Sequence, residues 1–306
     1  MQELLALSPA AWVILALLLG LIVGSFLNVV IYRLPVMLDR QWRADCAPLH
    51  SAATPAAATP AAATTLPARF NLLVPRSACP ACRTPIKAIH NIPVLSYLLL
   101  RGRCAHCRAS ISLRYPAIEL LSGILTALVA WRFGAQACSA CAMLITWFLI
   151  ALTFIDLDHQ LLPDSLTLPL LWLGLLASLT GWSAPGANLP VDPVSAIEGA
   201  AAGYVSLWAV YHAFRLLTGK EGMGYGDFKL LGALGAWLGL QMLLPIVLLS
   251  ALVGALIGVG LIALRHHQRG TPIPFGPFLA AAGWLAMMWG PQMLARYLSL
   301  YGLRSG

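Results

Sequence analysis

Long apolar runs separated by short polar stretches dominate this chain. Residues 10–31 form the first run, and at 1.5 Å per residue a helix of that length crosses a hydrocarbon layer of about 30 Å. The run has no basic flank before it and no Ala-x-Ala site after it, so it reads as a retained transmembrane helix rather than a cleaved signal. Further apolar segments predict helices over about 116–131, opened by Pro116 with Glu119 in the first turn, then 142–155, 166–181, 197–217 and 278–294. Residues 228–264 are apolar throughout and exceed one span of about 20 residues, so they divide near Gly239-Leu240-Gln241. The expectation is an all-α polytopic membrane protein with about eight transmembrane helices. Between the first and second lies a long polar loop, 32–115, interrupted by an Ala/Pro/Thr-rich linker over 47–67. Three segments follow: 1–31 as first helix, 32–115 as loop domain, and 116–306 as a membrane core of seven helices.

Composition agrees with this pattern. Hydrophobic residues make up 59% and charged residues 10%, with mean hydropathy +0.80, whereas soluble domains carry about 25% charged residues. The formal charge of +8 raises the question of nucleic acid, but its distribution answers it. The 32–115 loop holds Arg33, Arg40, Arg43, Arg69, Arg76, Arg83, Lys87, Arg101, Arg103, Arg108 and Arg114 against Asp39 and Asp45 alone. With Arg215, Lys220, Lys229, Arg265 and Arg269, eight spans place sixteen of nineteen basic residues on one side, while 182–196 has none. That is a positive-inside pattern, with both termini outside and the loop cytoplasmic. It favours membrane lipids as neighbours, and no base-stacking or groove-reading motif accompanies it. Asn28, inside the first helix, reads as a polar group joining helices.

The loop carries Cys79-Pro80-Ala81-Cys82 and Cys104-Ala105-His106-Cys107, two Cys-x-x-Cys pairs with 21 residues between them. In a reducing compartment this spacing suits a four-thiolate zinc site with no open coordination position, hence a structural one. His106 is an alternative ligand that four thiolates make unnecessary. Cys138 and Cys141, on the outer side, fit either a disulfide or two small thiols at a helix start; Cys46 belongs to none of these pairs.

Two polar stretches stand out against the apolar background. Gly222-Met223-Gly224-Tyr225-Gly226-Asp227-Phe228-Lys229 places an acid at the mouth of an apolar helix, with Gly224 and Gly226 permitting a tight entry turn. The plain alternative for Asp227 is a solvated acid that complements a helix dipole and pairs with Lys229. Asp156-Leu157-Asp158-His159, followed by Pro163-Asp164, adds three acids at the end of another apolar helix. A carboxylate in a last helical turn faces the unfavourable end of the dipole, so Asp156 is poorly placed as a structural anion. Asp158 reads as interfacial and Asp164 as an N-cap of the next helix. The topology puts both clusters at the cytoplasmic edge, where two nearby carboxyls sharing one proton can activate water.

These residues resemble a known family. Gly224-Tyr225-Gly226-Asp227 with Phe228-Lys229-Leu230 is similar to the Gly-x-Gly-Asp signature of intramembrane aspartyl proteases. Asp156 with Pro163-Asp164 resembles the partner motif of type IV prepilin peptidases. The likeness extends through Gly24-Ser25-Phe26-Leu27-Asn28-Val29, Arg33-Leu34-Pro35, the cysteine loop, Arg114-Tyr115-Pro116 with Glu119-Leu120, and Thr271-Pro272-Ile273-Pro274-Phe275-Gly276-Pro277. It implies a bifunctional enzyme of the bacterial inner membrane. Such an enzyme cuts the basic leader of type IV prepilins and type II secretion pseudopilins after glycine, then N-methylates the new terminus with S-adenosylmethionine. By motif position, Asp156 and Asp227 are the implied catalytic pair, supported by Gly224, Gly226, Asp158, Asp164 and Lys229. Gly102-Arg103 resembles the segment linked to methyl transfer, with Arg103 where Lys is common. No glycine-rich dinucleotide fingerprint marks a cofactor pocket. A proton-coupled transporter would also use membrane acids, but predicts inverted repeats and acids at the midplane; a noncatalytic assembly scaffold predicts no cleavage.

Overall fold

A computed structural model describes residues 8–53, 70–181, 189–220, 222–263 and 273–300. It is helical apart from two isolated β-bridges among the described residues. The elements are α1 (Pro9–Ala53), a 3-10 turn (Ala88–Asn91), α2 (Leu95–Leu99), α3 (Arg114–Phe133), α4 (Ala137–His159), α5 (Asp164–Ser178), α6 (Pro193–Thr218), α7 (Tyr225–Leu238), α8 (Leu240–Ala263) and α9 (Gly276–Leu300). They group into two compact units, Leu19–Gly123, and Met1–Leu18 with Ile124–Gly306.

Each of the eight expected apolar segments overlaps a helix, but only four helices among the described residues are by themselves long and apolar enough to cross a membrane. These are Pro9–Ala47, Arg114–Phe133, Ala137–His159 and Leu240–Leu261. α7 shows why the expected count of eight runs ahead of this measure. Its 14 residues reach about 21 Å, and every residue from Phe228 to Leu238 except Lys229 is buried. A helix enclosed by other helices need not match the length of the hydrocarbon layer.

Small residues make that enclosure possible. Gly199 and Gly203 of α6 lie one helical turn apart and face the backbone of Gly235 and Leu231 in α7, so closely that a side-chain carbon at either glycine would collide. This small-xxx-small contact lets two backbones approach where hydrophobic driving force between helices is weak. Trp237 Nε1 donates to Leu170 O of α5 at 2.8 Å, and Leu234 fills the space opposite Gly283 of α9. The long apolar run breaks at Gly239, whose φ of +78° ends α7 and starts α8. Trp284 Nε1 reaches Thr146 Oγ1 of α4 at 3.0 Å, and Arg132 Nε donates to Met288 O at 3.1 Å. Both satisfy polar groups inside an apolar packing, where an orphan would be costly.

Several boundaries differ from expectation. α1 does not stop near residue 31 but continues through Pro35 to Ala53, aided by alanines and by the Arg43–Asp39 pair at 2.9 Å one turn apart. It thereby takes in the first part of the expected 47–67 linker; 54–67 lie outside the described residues. α4 extends past 155 to His159 and closes on Gln160 in a left-handed conformation. The next helix starts at Asp164, with Pro163 at its N-cap. The basic turn 265–269 also lies outside the described residues.

The Leu19–Gly123 unit is held differently. Arg33 is buried in α1 and donates to the carbonyls of Asn71 at 2.9 Å and Pro75 at 2.6 Å, with Phe70 beside its guanidinium. Asn28 Nδ2 donates to Gly24 O and, at 3.1 Å, to Tyr115 O, the joining role expected of it. Glu119 accepts from Val94 N at 2.7 Å.

Candidate active site and metal centre

Asp156 and Asp227 line one cavity of about 470 Å³, together with Gly222 to Gly226, Leu162, Asp164, Lys229 and the Ile273–Phe275 segment. Asp156 sits in the last turn of α4 and is 5% exposed; Asp227 sits in the first turn of α7 and is 6% exposed. Carboxylates this deeply buried cost several kcal/mol unless paired or neutralised, so the cavity concentrates unfavourable charge in one place.

The neighbours of each acid explain its orientation. Gly276 N, at the start of α9, donates to Asp156 Oδ2 at 3.0 Å. A side-chain carbon at Gly276 would lie 2.5 Å from that same oxygen, so only glycine leaves the carboxyl its place. Asp227 rests against the backbone of Gly224, the N-cap of α7, while its Oδ1 is buried with no hydrogen-bond partner. Simple dipole capping accounts for one oxygen and leaves the other unexplained. Leu162 is the spacer: a side-chain carbon at Gly226 would meet its Cβ at 2.6 Å, and one at Gly276 would meet its Cδ1 at 3.2 Å.

The remaining acids take different positions. Asp164 does not cap α5 with its side chain; both its oxygens accept from Lys229 Nζ, at 2.6 and 2.8 Å. Lys229 thus pairs with Asp164 and not with Asp227. Asp158 is exposed and is not among the residues lining the cavity. Gly276 and Leu162 were not singled out as site residues from sequence; the Pro274-Phe275-Gly276-Pro277 run at a helix start was the available signal for the first.

The four loop cysteines form the second centre. The Sγ atoms of Cys79, Cys82, Cys104 and Cys107 all lie within 4.8 Å of one another. Cys79 and Cys107 Sγ are 3.8 Å apart, which is about the sulfur separation of a tetrahedral site with Zn–S near 2.3 Å. The two pairs fold as matching knuckles. Cys79 N donates to Thr84 O at 3.0 Å, and Cys104 N to Ala109 O at 2.8 Å. Bridges join Ala78 to Pro85 and Arg103 to Ser110, and Arg83 and Arg108, each just after the second cysteine, share a left-handed φ near 58° as 57° and 59°. Hydrogen bonds from the side chain and backbone of Thr84 bring the Cys82 thiol down to about 6. Donor set and geometry fit zinc.

Gly102 turns the chain into the second knuckle at φ +67° with the Tyr97 ring against it, and Arg103 belongs to the bridge. Cys138 and Cys141 are free thiols one turn apart at the start of α4.

Comparison with known proteins gives a consistent result over the whole chain. Residues 18–133 match the bacterial peptidase A24 N-terminal domain, and residues 143–259 match the type IV leader peptidase family. The chain is 54% identical over 291 residues to a prepilin leader peptidase/N-methyltransferase of Aeromonas salmonicida, covering 95% of each chain. It is 51% identical to the protein of that name from Stutzerimonas stutzeri, covering 97% of each. The Pseudomonas aeruginosa protein of that name is 50% identical over 302 residues, 99% of each chain. No solved structure matches.

Proposed function

The chain belongs to the type IV leader peptidase family, and we propose that it is a prepilin leader peptidase and N-methyltransferase of the bacterial inner membrane. Its substrates are the leader-bearing precursors of type IV pilins and type II secretion pseudopilins, cut after the glycine that ends the leader. Asp156 and Asp227 are the catalytic pair. The observation that carries this reading is the cavity that both acids line, with Asp227 Oδ1 buried and unpartnered.

The chemistry follows from two carboxyls sharing one proton. The ionised one takes a proton from a water held between them as the water oxygen attacks the scissile carbonyl. The protonated one gives its proton to the carbonyl oxygen. Collapse of the tetrahedral species then needs a proton on the departing amine, which the first carboxyl returns, while the second carboxyl recovers its proton from one of the two hydroxyls as the C–N bond breaks. Gly276 N fixes one oxygen of Asp156 throughout, and Gly224 and Gly226 keep the entry turn slim enough for a substrate backbone.

The apolar segments α1 and α3 to α9 supply eight spans, with the acids and the cysteine loop at the cytoplasmic face, in the division 1–31, 32–115 and 116–306. Cys79, Cys82, Cys104 and Cys107 hold a structural zinc that stabilises a loop with little apolar core. S-adenosylmethionine supplies the methyl group for the new terminal amine, with Gly102 and Arg103 as the candidate residues for that transfer. The purified protein, given a prepilin in detergent with methyl-labelled cofactor, is expected to release a leader ending in glycine and to label the mature terminus. An uncut prepilin removes the peptidase reading, and cleavage without label removes the methyl-transfer half.

A further inference from the structure

The ion pair between Lys229 and Asp164 lies on the rim of the same cavity and the mechanism above does not use it. Its geometry is specific. Lys229 Nζ contacts both oxygens of Asp164, at 2.6 and 2.8 Å, and both residues line the cavity with Asp156 and Asp227. The side chains are 27% and 57% exposed, and half-exposed ion pairs add little to stability. A stability role therefore gives a weak account of a two-point contact placed at this spot.

Connectivity gives a better one. Lys229 is two residues after Asp227 in the first turns of α7. Asp164 is the first residue of α5 and is joined to the end of α4, which carries Asp156, by four residues, 160–163. Within that short joint Leu162 is wedged against Gly226 on one side and Gly276 on the other. Gly226 adjoins Asp227, and Gly276 holds Asp156. The pair thus closes a loop that runs from one acid through the joint to the other.

We propose that Lys229 and Asp164 are positioning residues, a clamp that fixes the start of α7 to the start of α5 and so sets the separation of Asp227 and Asp156. This rests on the peptidase reading. A pair of acids that must share one water tolerates little displacement, and a shift of about 1 Å at a reacting centre can cost about a hundredfold in rate. The clamp does not touch the scissile bond, so its loss acts on turnover and spares binding.

The test is a double-mutant cycle on prepilin cleavage by the full-length protein in detergent. Lys229→Met and Asp164→Asn each lower kcat about ten- to hundredfold with KM within about twofold of the native value. The double variant falls no further than the worse single, because the second change removes nothing still intact. Native kcat in the single variants overturns the clamp, as do losses that multiply in the double variant. A raised KM with kcat retained also overturns it, and makes Asp164 a carboxylate that binds substrate. Lys229→Arg keeps the charge and serves where Lys229→Met does not fold. Its kcat stays within about threefold of native if the pair does the positioning, and a loss as large as that of Asp164→Asn contradicts it. An Asp156→Asn variant that still cuts would remove the peptidase reading itself, a result distinct from any of these.

Discussion

The two compact units of this protein solve the problem of order in opposite ways. In the Ile124–Gly306 region, α7 is enclosed by helices, and its fixed position comes from glycine-backed contacts such as Gly203 against Leu231 and from Trp237 bonding to Leu170. In the Leu19–Gly123 unit, Cys79 and Gly102 are the only buried residues among those of 70–113 whose burial is described. Order there comes from few, strong, polar devices: the four cysteines, buried Arg33 on the carbonyls of Asn71 and Pro75, and Glu119 on Val94 N. Packing distributes its stabilisation over many small terms, so single changes are absorbed unless they fall on a close approach. A metal knuckle concentrates it, so one ligand decides the whole element.

The sharpest way to break that contrast is at Cys82. Zinc binding in small domains supplies roughly 10 kcal/mol or more of folding free energy, so Cys82→Ser should release the metal and expose 70–113 to protease. Cleavage of a prepilin should survive, measured as kcat in the same sample. Loss of both would mean that the two regions are not energetically separable. A smaller effect is expected at Gly276. A side chain there collides with Asp156 Oδ2, and Gly276→Val should lower kcat about a hundredfold with zinc content unchanged. Next comes Gly203→Val, which overpacks the α6–α7 contact. It should cost about 1–3 kcal/mol, seen as a lower Tm in detergent. The most local effect should come from Arg33→Met. Removing hydrogen bonds from a charged donor costs about 1.5–3 kcal/mol per bond, felt as faster amide exchange over the described residues 70–75 with cleavage unchanged.

What was legible in the sequence follows the same division. The cysteine centre could be read from spacing alone, because a tetrahedral site makes its demand through residues three apart. The helices were legible as apolar runs, and the break at Gly239 as a run too long for one span. Asp156 and Asp227 were conspicuous because acids are rare at the ends of such runs. The contacts that orient them were not legible. Gly276 lies 120 residues from Asp156, and Lys229 lies 65 from Asp164, so no local pattern announces either. Reading Asp164 as an N-cap followed a sound local rule, and the nearby lysine overrode it. The reach of α1 to Ala53 is not legible in hydropathy, because nothing in it marks where a helix continues beyond the lipid.

The claim on which the rest depends is that Asp156 and Asp227 act together in hydrolysis. Its most direct test is the cleavage rate of one prepilin by the purified native protein, Asp156→Asn and Asp227→Asn, at matched zinc content. Each substitution keeps size and removes the shared proton's partner, so the account predicts a loss of at least about a thousandfold in both. Cleavage by either variant within about tenfold of the native rate would contradict it.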